Sequence, residues 1–295
     1  MFIRRTALSR ALPLALLSVA SAPAYAGWPD DVSLSAMSTY QGAPVDNLKA
    51  TSEAYEQVVR ELGVAIANKP IAPAETLGAH GFDLSLTSTV AFLSTTSDDA
   101  DSPAAWERVH ADNDPTGAMF IPTLNFRKGL PLSLEAGASW GYVAFSRQTV
   151  FGAYGRWALV EGYRQYPDLT IQAGYRGYLG NDELKLGVMD ARLSLGYSIP
   201  FGVWPGINDA VFSPQVGAGL LRIKAEPVLS ETEQASLGVG AVSGFKGSDS
   251  YTDGYAPADI HLGFRIVSGD FEVIALGTVA PSVIPTVNLG FGYEF

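Results

Sequence analysis

The sequence predicts an all-β fold: an antiparallel transmembrane β-barrel of about 10 strands (roughly 8 to 12), with one amphipathic helix before it. Two observations lead to this prediction. Apolar and polar residues alternate with a period of two from Gly81 to the end of the chain. In addition, 47% of the residues are hydrophobic, yet no long apolar run follows residue 26. Alternating strands explain both observations, because half of each membrane-spanning strand faces lipid.

The first residues of the chain have the features of a secretory signal peptide. Three arginines precede a short apolar run at 11–20, and Ala24-Tyr25-Ala26 is a small-x-small cleavage site. A run of about 10 apolar residues is too short for a membrane-spanning helix, which needs about 20. We therefore expect residues 1–26 to direct export and to be removed, so that the mature chain begins at Gly27.

Charge and cysteine content exclude several classes of function. The chain has a net charge of −11 and contains no cysteine. Nucleic-acid binding needs a basic surface, so we expect no nucleic-acid partner. Because no disulfide can form, burial and backbone pairing must stabilise the fold. The sequence also has no phosphate-binding loop and no dinucleotide fingerprint, so no cofactor is predicted.

The mature chain starts with a helix-bearing segment, residues 27–80. Apolar residues recur there at three- and four-residue spacing over 47–68, which predicts one amphipathic helix. Asp46 or Asn47 can cap its start, and Pro70 prevents its continuation. We expect the helix to rest in the periplasm or against the barrel mouth. The alternatives are a plug inside the barrel lumen and an arm that binds a partner.

Residues 81–295 form the predicted barrel, and each strand is recognised by its alternation. An even number of strands places both ends of the barrel in the periplasm. The long connections 94–117 and 226–256 then face outside, and short turns near 128–131, 167–168 and 268–270 face the periplasm. Nine of the alternating rows begin at Phe82, Phe120, Leu132, Leu169, Met189, Phe212, Ile260, Phe271 and Val287, and a mixed segment around Arg156 that ends at Gly162 makes about ten.

The last strand stops on an aromatic residue. Val287, Leu289, Phe291 and Tyr293 alternate with small or polar residues before Phe295. This resembles the C-terminal strand of Gram-negative outer-membrane β-barrels, in which a terminal aromatic residue is part of the signal read by the barrel-assembly machinery. The resemblance is close over this strand, and from Gly81 onward it is limited to the general alternating pattern. It does not indicate a specific subfamily.

The resemblance implies a location and partners. Phe291, Tyr293 and Phe295 would be the assembly signal for the barrel-assembly machinery. The protein would lie in the cell outer membrane, in contact with membrane lipid and lipopolysaccharide. Because trimeric porins are usually larger, we expect a monomer.

The polar faces of the strands carry charges of both signs. A barrel of about 10 strands has a narrow interior, between a side-chain-filled tube and an open porin. Charges walled in by protein need partners. We expect either a structural network that fills the lumen or a polar constriction that selects small solutes. The predicted lumen residues are Asp83, Arg127, Glu135, Arg156, Arg176, Asp190, Arg192, Asp259, His261, Arg265, Glu272 and Glu294.

One pair of residues suggests catalysis. Asp259 and His261 lie on one face of a strand, where a carboxylate can orient a general base. The pair is similar to the Asp-x-His pair of omptin proteases, and Asp99 and Asp101 could correspond to the paired aspartates of that family. The surrounding residues differ from those of an omptin.

One acidic stretch suggests a metal. Asp112 and Asp114 begin a calcium-like loop, but its twelfth position is Thr123 rather than a bidentate Glu. We expect a solvated acidic loop there, with weak cation binding as the alternative. No other metal site is predicted.

Three functions follow from these observations. The first is a small outer-membrane channel for low-molecular-weight solutes, without enzymatic activity. The second is a non-conducting structural or surface-interaction barrel. The third is an outer-membrane hydrolase that uses Asp259 and His261.

Overall fold

The computed structural model of the chain describes ten ranges, namely residues 31–39, 44–95, 104–110, 115–163, 166–201, 210–243, 245–247, 250–255, 257–281 and 283–295. The predicted signal peptide lies outside the described residues. The calcium candidates Asp112 and Asp114 and the aspartates Asp99 and Asp101 lie outside them as well.

The chain contains ten long strands and several shorter elements. The long strands are β1 (Phe82–Phe92), β2 (Ala118–Leu130), β3 (Leu134–Tyr142), β4 (Thr149–Val160), β5 (Asp168–Leu179), β6 (Leu184–Gly196), β8 (Ala210–Pro227), β12 (Ala258–Ser268), β13 (Phe271–Val279) and β14 (Pro285–Glu294). The short strands are β7 (Ile199–Phe201), β9 (Val242–Ser243), β10 (Phe245–Gly247) and β11 (Ser250–Tyr255). The helices are a 3₁₀ turn (Ser35–Thr39), α1 (Pro44–Ile66), α2 (Ala105–Arg108) and α3 (Glu231–Leu237).

The ten long strands close into one antiparallel barrel. Each long strand pairs with the next long strand along the chain, and β14 pairs with β1 to complete the ring. The short strands β7 and β9 pair with β8, whereas β10 and β11 form a separate two-stranded sheet. The predicted fold class and strand number are therefore confirmed.

The two ends of the barrel differ in the length of their connections. At one end, here called the turn end, the strands are joined by residues 131–133, 161–167, 197–209 and 269–270. At the other, the loop end, they are joined by residues 93–117, 143–148, 180–183, 228–257 and 280–284. The predicted turn near Lys128 lies later than expected. Strand β2 continues to Leu130, and the chain reverses through Leu132 and Ser133, whose φ angles of 65° and 57° are left-handed.

The outer wall of the barrel is apolar. Exposed side chains alternate with buried ones along every long strand, and the exposed set is dominated by large hydrophobic residues such as Leu84, Leu124, Trp140 and Phe291. A water-soluble barrel would place polar residues there, whereas a barrel in lipid presents this apolar band. Among the described residues, no helix has the length and apolarity that a membrane-spanning helix requires.

Helix α1 is confirmed, but its expected place in the periplasm or at the barrel mouth is wrong. The helix lies inside the barrel, against β1, β5, β6 and β8 and against α2 and α3 of the loop-end connections. Its apolar face is fully buried, with Val58 and Leu62 at 0% exposure. It begins at Pro44, before the predicted caps Asp46 and Asn47, because proline is favoured in the first turn of a helix.

The interior of the barrel has two layers. In the loop-end half the inward side chains are apolar, for example Met119, Leu186, Leu221 and Ile223, and they form one hydrophobic core with α1. In the turn-end half the inward side chains are mainly charged or polar. The plug alternative of the sequence analysis is therefore the arrangement that the structure has, because the apolar half-lumen supplies the surface that the apolar face of α1 needs.

Candidate functional site

The lumen is occupied by N-terminal parts of the chain, whose described residues extend from the loop end to the turn end. These parts are residues 31–39, helix α1 and the extended residues 67–76, and together we call them the threaded segment. Its first part is fixed at the loop end. Arg147 N donates to Asp31 Oδ1 at 3.0 Å, Asn181 Nδ2 donates to the Val32 carbonyl at 2.7 Å, and Ser35 N donates to Glu183 at 2.9 Å.

Helix α1 is attached to the first long connection through one buried carboxylate. Glu61 Oε2 accepts hydrogen bonds from Trp106 Nε1 at 2.7 Å and from Ser94 N at 3.0 Å. Its other oxygen accepts from Gln57 Nε2 at 2.9 Å. Both Glu61 and Trp106 are almost completely buried. This contact joins the threaded segment to the connection 93–117.

Below α1 the threaded segment is extended, and the barrel wall satisfies its backbone. Gln215 Nε2 donates to the Pro70 carbonyl at 2.8 Å, Arg156 donates to the Pro73 carbonyl, and Thr170 donates to the Ala74 carbonyl. Thr76 N and Oγ1 both donate to Glu161 Oε2 at 2.9 Å in a turn-end connection. An extended strand without a sheet partner would otherwise leave these carbonyls unsatisfied. The described parts of the segment are therefore attached to the barrel at the loop end, within the lumen and at the turn end.

The turn-end half of the lumen contains a network of ion pairs. Arg127 contacts Asp83 at 2.8 Å, Glu272 at 3.5 Å and Glu135 at 3.7 Å. Arg156 pairs with the same Glu135 at 2.9 Å. A third arginine, Arg265, bridges Glu272 to Glu294 at the rim. These residues come from β1, β2, β3, β4, β12, β13 and β14, so the network fastens strands around the barrel as well as across it.

A second network lies at the middle of the barrel and includes the threaded segment. Arg192 pairs with Asp190 and with Asp259, both at 2.7 Å. Asn68 Nδ2 donates to the other oxygen of Asp190 at 2.7 Å. The neighbouring Lys69 is buried, and its Nζ donates to the Val64 carbonyl at 2.8 Å. Sequence reasoning missed Asn68 and Lys69, because the prolines that follow them gave no indication that this stretch enters the lumen.

The structure places the twelve predicted lumen residues on the inner face of the barrel. All are buried except Glu294, which is partly exposed at the rim. Arg176 belongs to neither ion-pair network, and its guanidinium donates to Thr123 Oγ1 at 3.0 Å. A cavity beside Asn68, Lys69 and Tyr154 measures about 10 Å³, which is roughly the space of one water-sized sphere.

The catalytic candidates have a neighbour that sequence reasoning missed. Ser194 Oγ lies 3.0 Å from His261 Nε2, so a serine and a histidine are within hydrogen-bonding distance. Asp259 does not complete a triad, because its Oδ2 accepts two hydrogen bonds from Arg192 and His261 Nδ1 has no partner among the described residues. All three side chains are buried in the wall of the filled lumen. The arrangement is a polar contact between β6 and β12 in the described conformation.

The aromatic residues of the last strand lie on the outer surface. Phe291 and Tyr293 face outward, and the ring of Phe295 stacks on Phe82 with centroids 5.7 Å apart. Strand β14 pairs with β13 on one side and with β1 on the other. The predicted assembly signal therefore borders the seam at which the barrel closes, and its role in assembly stays a prediction.

Comparisons with known proteins bear on the fold. No protein-family model matches the chain, and no curated protein matches it. Three similar solved structures are Ail, the attachment invasion locus protein of Yersinia pestis, in complex with the heparin analogue sucrose octasulfate, the KdgM porin, and the transport unit of the autotransporter AIDA-I from Escherichia coli. Their sequence identities to this chain are 12%, 5% and 10%.

The matches cover most of each chain at low similarity. For Ail, 74% of this chain aligns with 99% of that chain, with a TM-score of 0.26. For KdgM, 72% of this chain aligns with 99% of that chain, with a TM-score of 0.32. For the AIDA-I unit, 86% of this chain aligns with 100% of that chain, with a TM-score of 0.36. Likenesses of this size carry no information about function, which must be inferred from the residues of the chain itself.

The fold and the lumen together define a class of protein. The chain is a ten-stranded transmembrane β-barrel with an apolar outer wall and a lumen filled by its own N-terminal segment. The closed antiparallel barrel is the fold that the resemblance of the last strand implies, and the outer-membrane location stays a prediction.

Proposed function

We propose that this protein is exported by its N-terminal signal to the outer membrane, does not conduct in the described conformation, and acts through what it presents at the cell surface. One observation carries the proposal: the threaded segment runs through the lumen from the loop end to the turn end. In outer-membrane barrels the short turns face the periplasm and the longer loops face outside. Asp31 and Ser33 then lie on the outside, where they contact Arg147 of the connection 143–148 and Val109 of the connection 93–117.

The filled lumen supports the absence of conduction. An ion that crosses the loop-end half would have to pass the hydrophobic core that α1 forms with the wall, where Trp106, Leu62 and Ile223 are fully buried. A bare ion in such surroundings loses its hydration without a replacement, which costs many kcal/mol. The turn-end half adds a closed set of ion pairs around the extended residues 67–76.

Single-channel recording tests the first part of the proposal. The mature chain from Gly27 to Phe295, inserted into a planar bilayer, is expected to give no steady current. Insertion is verified separately by heat-modifiable migration, so that silence cannot be attributed to a failure to insert. A variant that lacks residues 27–78 is the positive control and is expected to conduct. Steady conductance of the complete mature chain would overturn the proposal.

Cysteine labelling tests the second part, and the chain suits it because it has no cysteine of its own. Lys49 is 82% exposed at the loop-end start of α1, and Leu132 is 85% exposed in a turn at the other end. In intact cells a membrane-impermeant maleimide is expected to label Lys49→Cys and to spare Leu132→Cys until the outer membrane is permeabilised. The opposite pattern would place the loop end in the periplasm and exclude surface presentation.

A second candidate is a channel that opens when the threaded segment leaves. The observation in its favour is the charged interior of the turn-end half, where residues such as Arg127, Glu135 and Arg265 would line a polar path. A voltage- or ligand-induced current in the complete chain, but not in a chain whose α1 is crosslinked to the wall, would support this candidate.

A further inference from the structure

Arg176 lies along the inner wall of the barrel, across two strands that carry glycine at this level. It starts on β5, where it is paired with Gly152 of β4, and its Nη2 reaches Thr123 of β2 at 3.0 Å. A Cβ added at Gly152 would lie 2.9 Å from Arg176 Cγ, and one added at Gly141 of β3 would lie 2.9 Å from Arg176 Nη2. A side chain at either glycine would displace the arginine, so these two glycines provide the space that it occupies.

A second buried cation lies beside Arg176. Lys69 of the threaded segment lines the same cavity as Arg176, and both side chains are almost completely buried. Lys69 Nζ donates to the Val64 carbonyl at 2.8 Å, and it forms no ion pair with a carboxylate of the described residues. The ten residues that line the cavity include no aspartate or glutamate.

The middle of the lumen therefore contains more cations than carboxylates. Asp190 and Asp259 both pair with Arg192, at 2.7 Å. Lys69 and Arg176 add two cations, so that three cations face two carboxylates in the part of this layer that the structure describes. One positive charge is in excess there. A buried charge without a counter-charge is costly, so this excess favours an anion.

Three hydrogen-bond donors at the cavity also have no partner among the described residues. They are Arg176 Nε, the Ser139 hydroxyl and the Tyr154 hydroxyl, and all three residues line the cavity. Ser139 Oγ and Arg176 Cγ meet over Gly152, because a Cβ added there would lie 2.9 Å from each. Buried donors are normally satisfied. A water molecule could accept from some of these donors, but it would leave the excess positive charge uncompensated, whereas an anion meets both requirements.

We propose that this cavity binds a monatomic anion, chloride, which accepts hydrogen bonds from Lys69, Arg176, Ser139 and Tyr154. Hydrogen bonds in which one partner is ionised are the strong ones. A cavity of about 10 Å³ admits one small ion and is too small for a polyatomic anion such as phosphate. Because Lys69 belongs to the threaded segment and the other ligands belong to the wall, the anion fastens the segment to β3, β4 and β5.

The anion site lies inside the barrel and goes beyond the proposed surface function. It does not depend on which end of the barrel faces outside, so the labelling of Lys49→Cys and Leu132→Cys does not bear on it. Either proposal can therefore fail while the other stands.

Equilibrium unfolding in urea tests the site. The mature chain is refolded in detergent with sodium gluconate as the salt, and chloride then replaces gluconate in steps at constant ionic strength. The urea midpoint is expected to rise with chloride and then to level off, because a ligand of the folded state stabilises it according to its concentration and affinity. Equal midpoints in chloride and gluconate would overturn the proposal.

Two variants separate specific binding from a general effect of salt. Arg176→Gln is expected to weaken the apparent affinity for chloride by about tenfold or more, since a hydrogen bond to a charged group contributes at least the free energy of a tenfold change. Ser139→Asp places a carboxylate in the cavity, and its midpoint is expected to be independent of chloride without falling below that of the unaltered chain in gluconate. A chloride dependence that persists in both variants would overturn the proposal.

The matched control is Lys49→Gln, which removes an 82% exposed cation from the same threaded segment. Its chloride dependence is expected to stay within about twofold of the unaltered chain, because the charge of an exposed side chain is screened by salt.

Anomalous diffraction from crystals grown in sodium bromide locates the ion directly. A bromide peak is expected between Lys69 and Arg176 and is expected to be lost in Arg176→Gln. Bromide found on the barrel surface alone would mean an adventitious ion only, and it would overturn the proposal.

Discussion

The contact between Glu61 and the first long connection leads to a prediction that can be worked out from the structure. In the variant Glu61→Ala, the indole N–H of Trp106 and the backbone N–H of Ser94 lose their acceptor while α1 stays in place. Trp106 is fully buried, so water cannot replace the acceptor. A buried donor without a partner costs about 1 to 3 kcal/mol. Ser94 N is only part-buried, so water can reach it and the indole N–H of Trp106 accounts for the expected cost.

Hydrogen exchange measured by mass spectrometry reports this cost locally. A loss of about 1 to 3 kcal/mol corresponds to faster opening by a factor between about 5 and 150. Exchange in residues 104–110 is therefore expected to accelerate by that factor in Glu61→Ala, while the barrel strands keep their protection. Glu61→Gln is expected to have a smaller effect, because its amide oxygen can still accept from Trp106.

A matched control removes a different hydrogen-bond partner of Glu61, and this partner lies nearer to solvent than Trp106. Gln57 is half-buried and donates to the other oxygen of Glu61. Gln57→Ala is expected to cost about 1 kcal/mol or less, since water can reach this site. Unchanged exchange of residues 104–110 in Glu61→Ala would refute the reasoning and show that the threaded segment does not hold this connection.

Three further predictions concern other parts of the molecule. Arg192→Met leaves Asp190 and Asp259 buried without their counter-charge, and the free energy of unfolding in detergent is expected to fall by about 3 to 5 kcal/mol; an unaltered denaturation midpoint would contradict this. Leu62→Ala, at a position with 0% exposure, is expected to cost about 2 to 5 kcal/mol by opening a cavity, whereas Leu48→Ala on the exposed part of the same helix is expected to cost about 0.5 kcal/mol or less. Ser230→Ala removes the side-chain hydrogen bond that contributes most to holding the pKa of Glu233 below its usual value, and it leaves the bond from the backbone N–H. That pKa is therefore expected to rise. Because a lowered pKa stabilises the fold at neutral pH and the benefit is lost on acidification, α3 in the unaltered chain is expected to lose order as the pH falls through the pKa of Glu233, which an NMR pH titration measures.

The sequence was sufficient for the barrel because alternation is a strong signal. Nine rows of period two and one mixed segment predicted the number of long strands, and the inward charges such as Arg127 and Asp259 lie where the alternation predicted them. The helix was equally readable from its three- and four-residue spacing. The location of the helix could not be predicted, because an amphipathic pattern indicates that a partner surface exists without identifying that surface.

A weaker signal for the plug was nevertheless present in the strands. At the loop end, runs such as Met119-Phe120-Ile121 and Leu220-Leu221 are apolar on both faces. Strands that are buried on both sides give continuous apolar runs, whereas a water-filled lumen would keep the alternation polar. The short helix α3 was readable too, since Ser230 and Glu233 form a capping box.

The interactions within the lumen had to come from the structure. Asn68 and Asp190 are far apart in the sequence, and so are Ser194 and His261. Their contacts depend on the register of the strands and on the path of the threaded segment. Neither the strand register nor the path of the threaded segment can be read from local spacing in the sequence. A one-residue change of register would turn Asp190, Ser194 or His261 to the opposite face of its strand.

The direct passage from the threaded segment into β1 couples two steps of assembly. Residues 77–81 connect the lumen to Phe82, and β1 is the strand that pairs with β14 to complete the ring. The helix-bearing segment is wider than an extended chain, and an already closed ring with a hydrogen-bonded wall would have to be threaded from one end to admit it. Pairing of β1 with β14 around a segment already in position would avoid this threading, and the N-terminal segment would then set the diameter of the barrel.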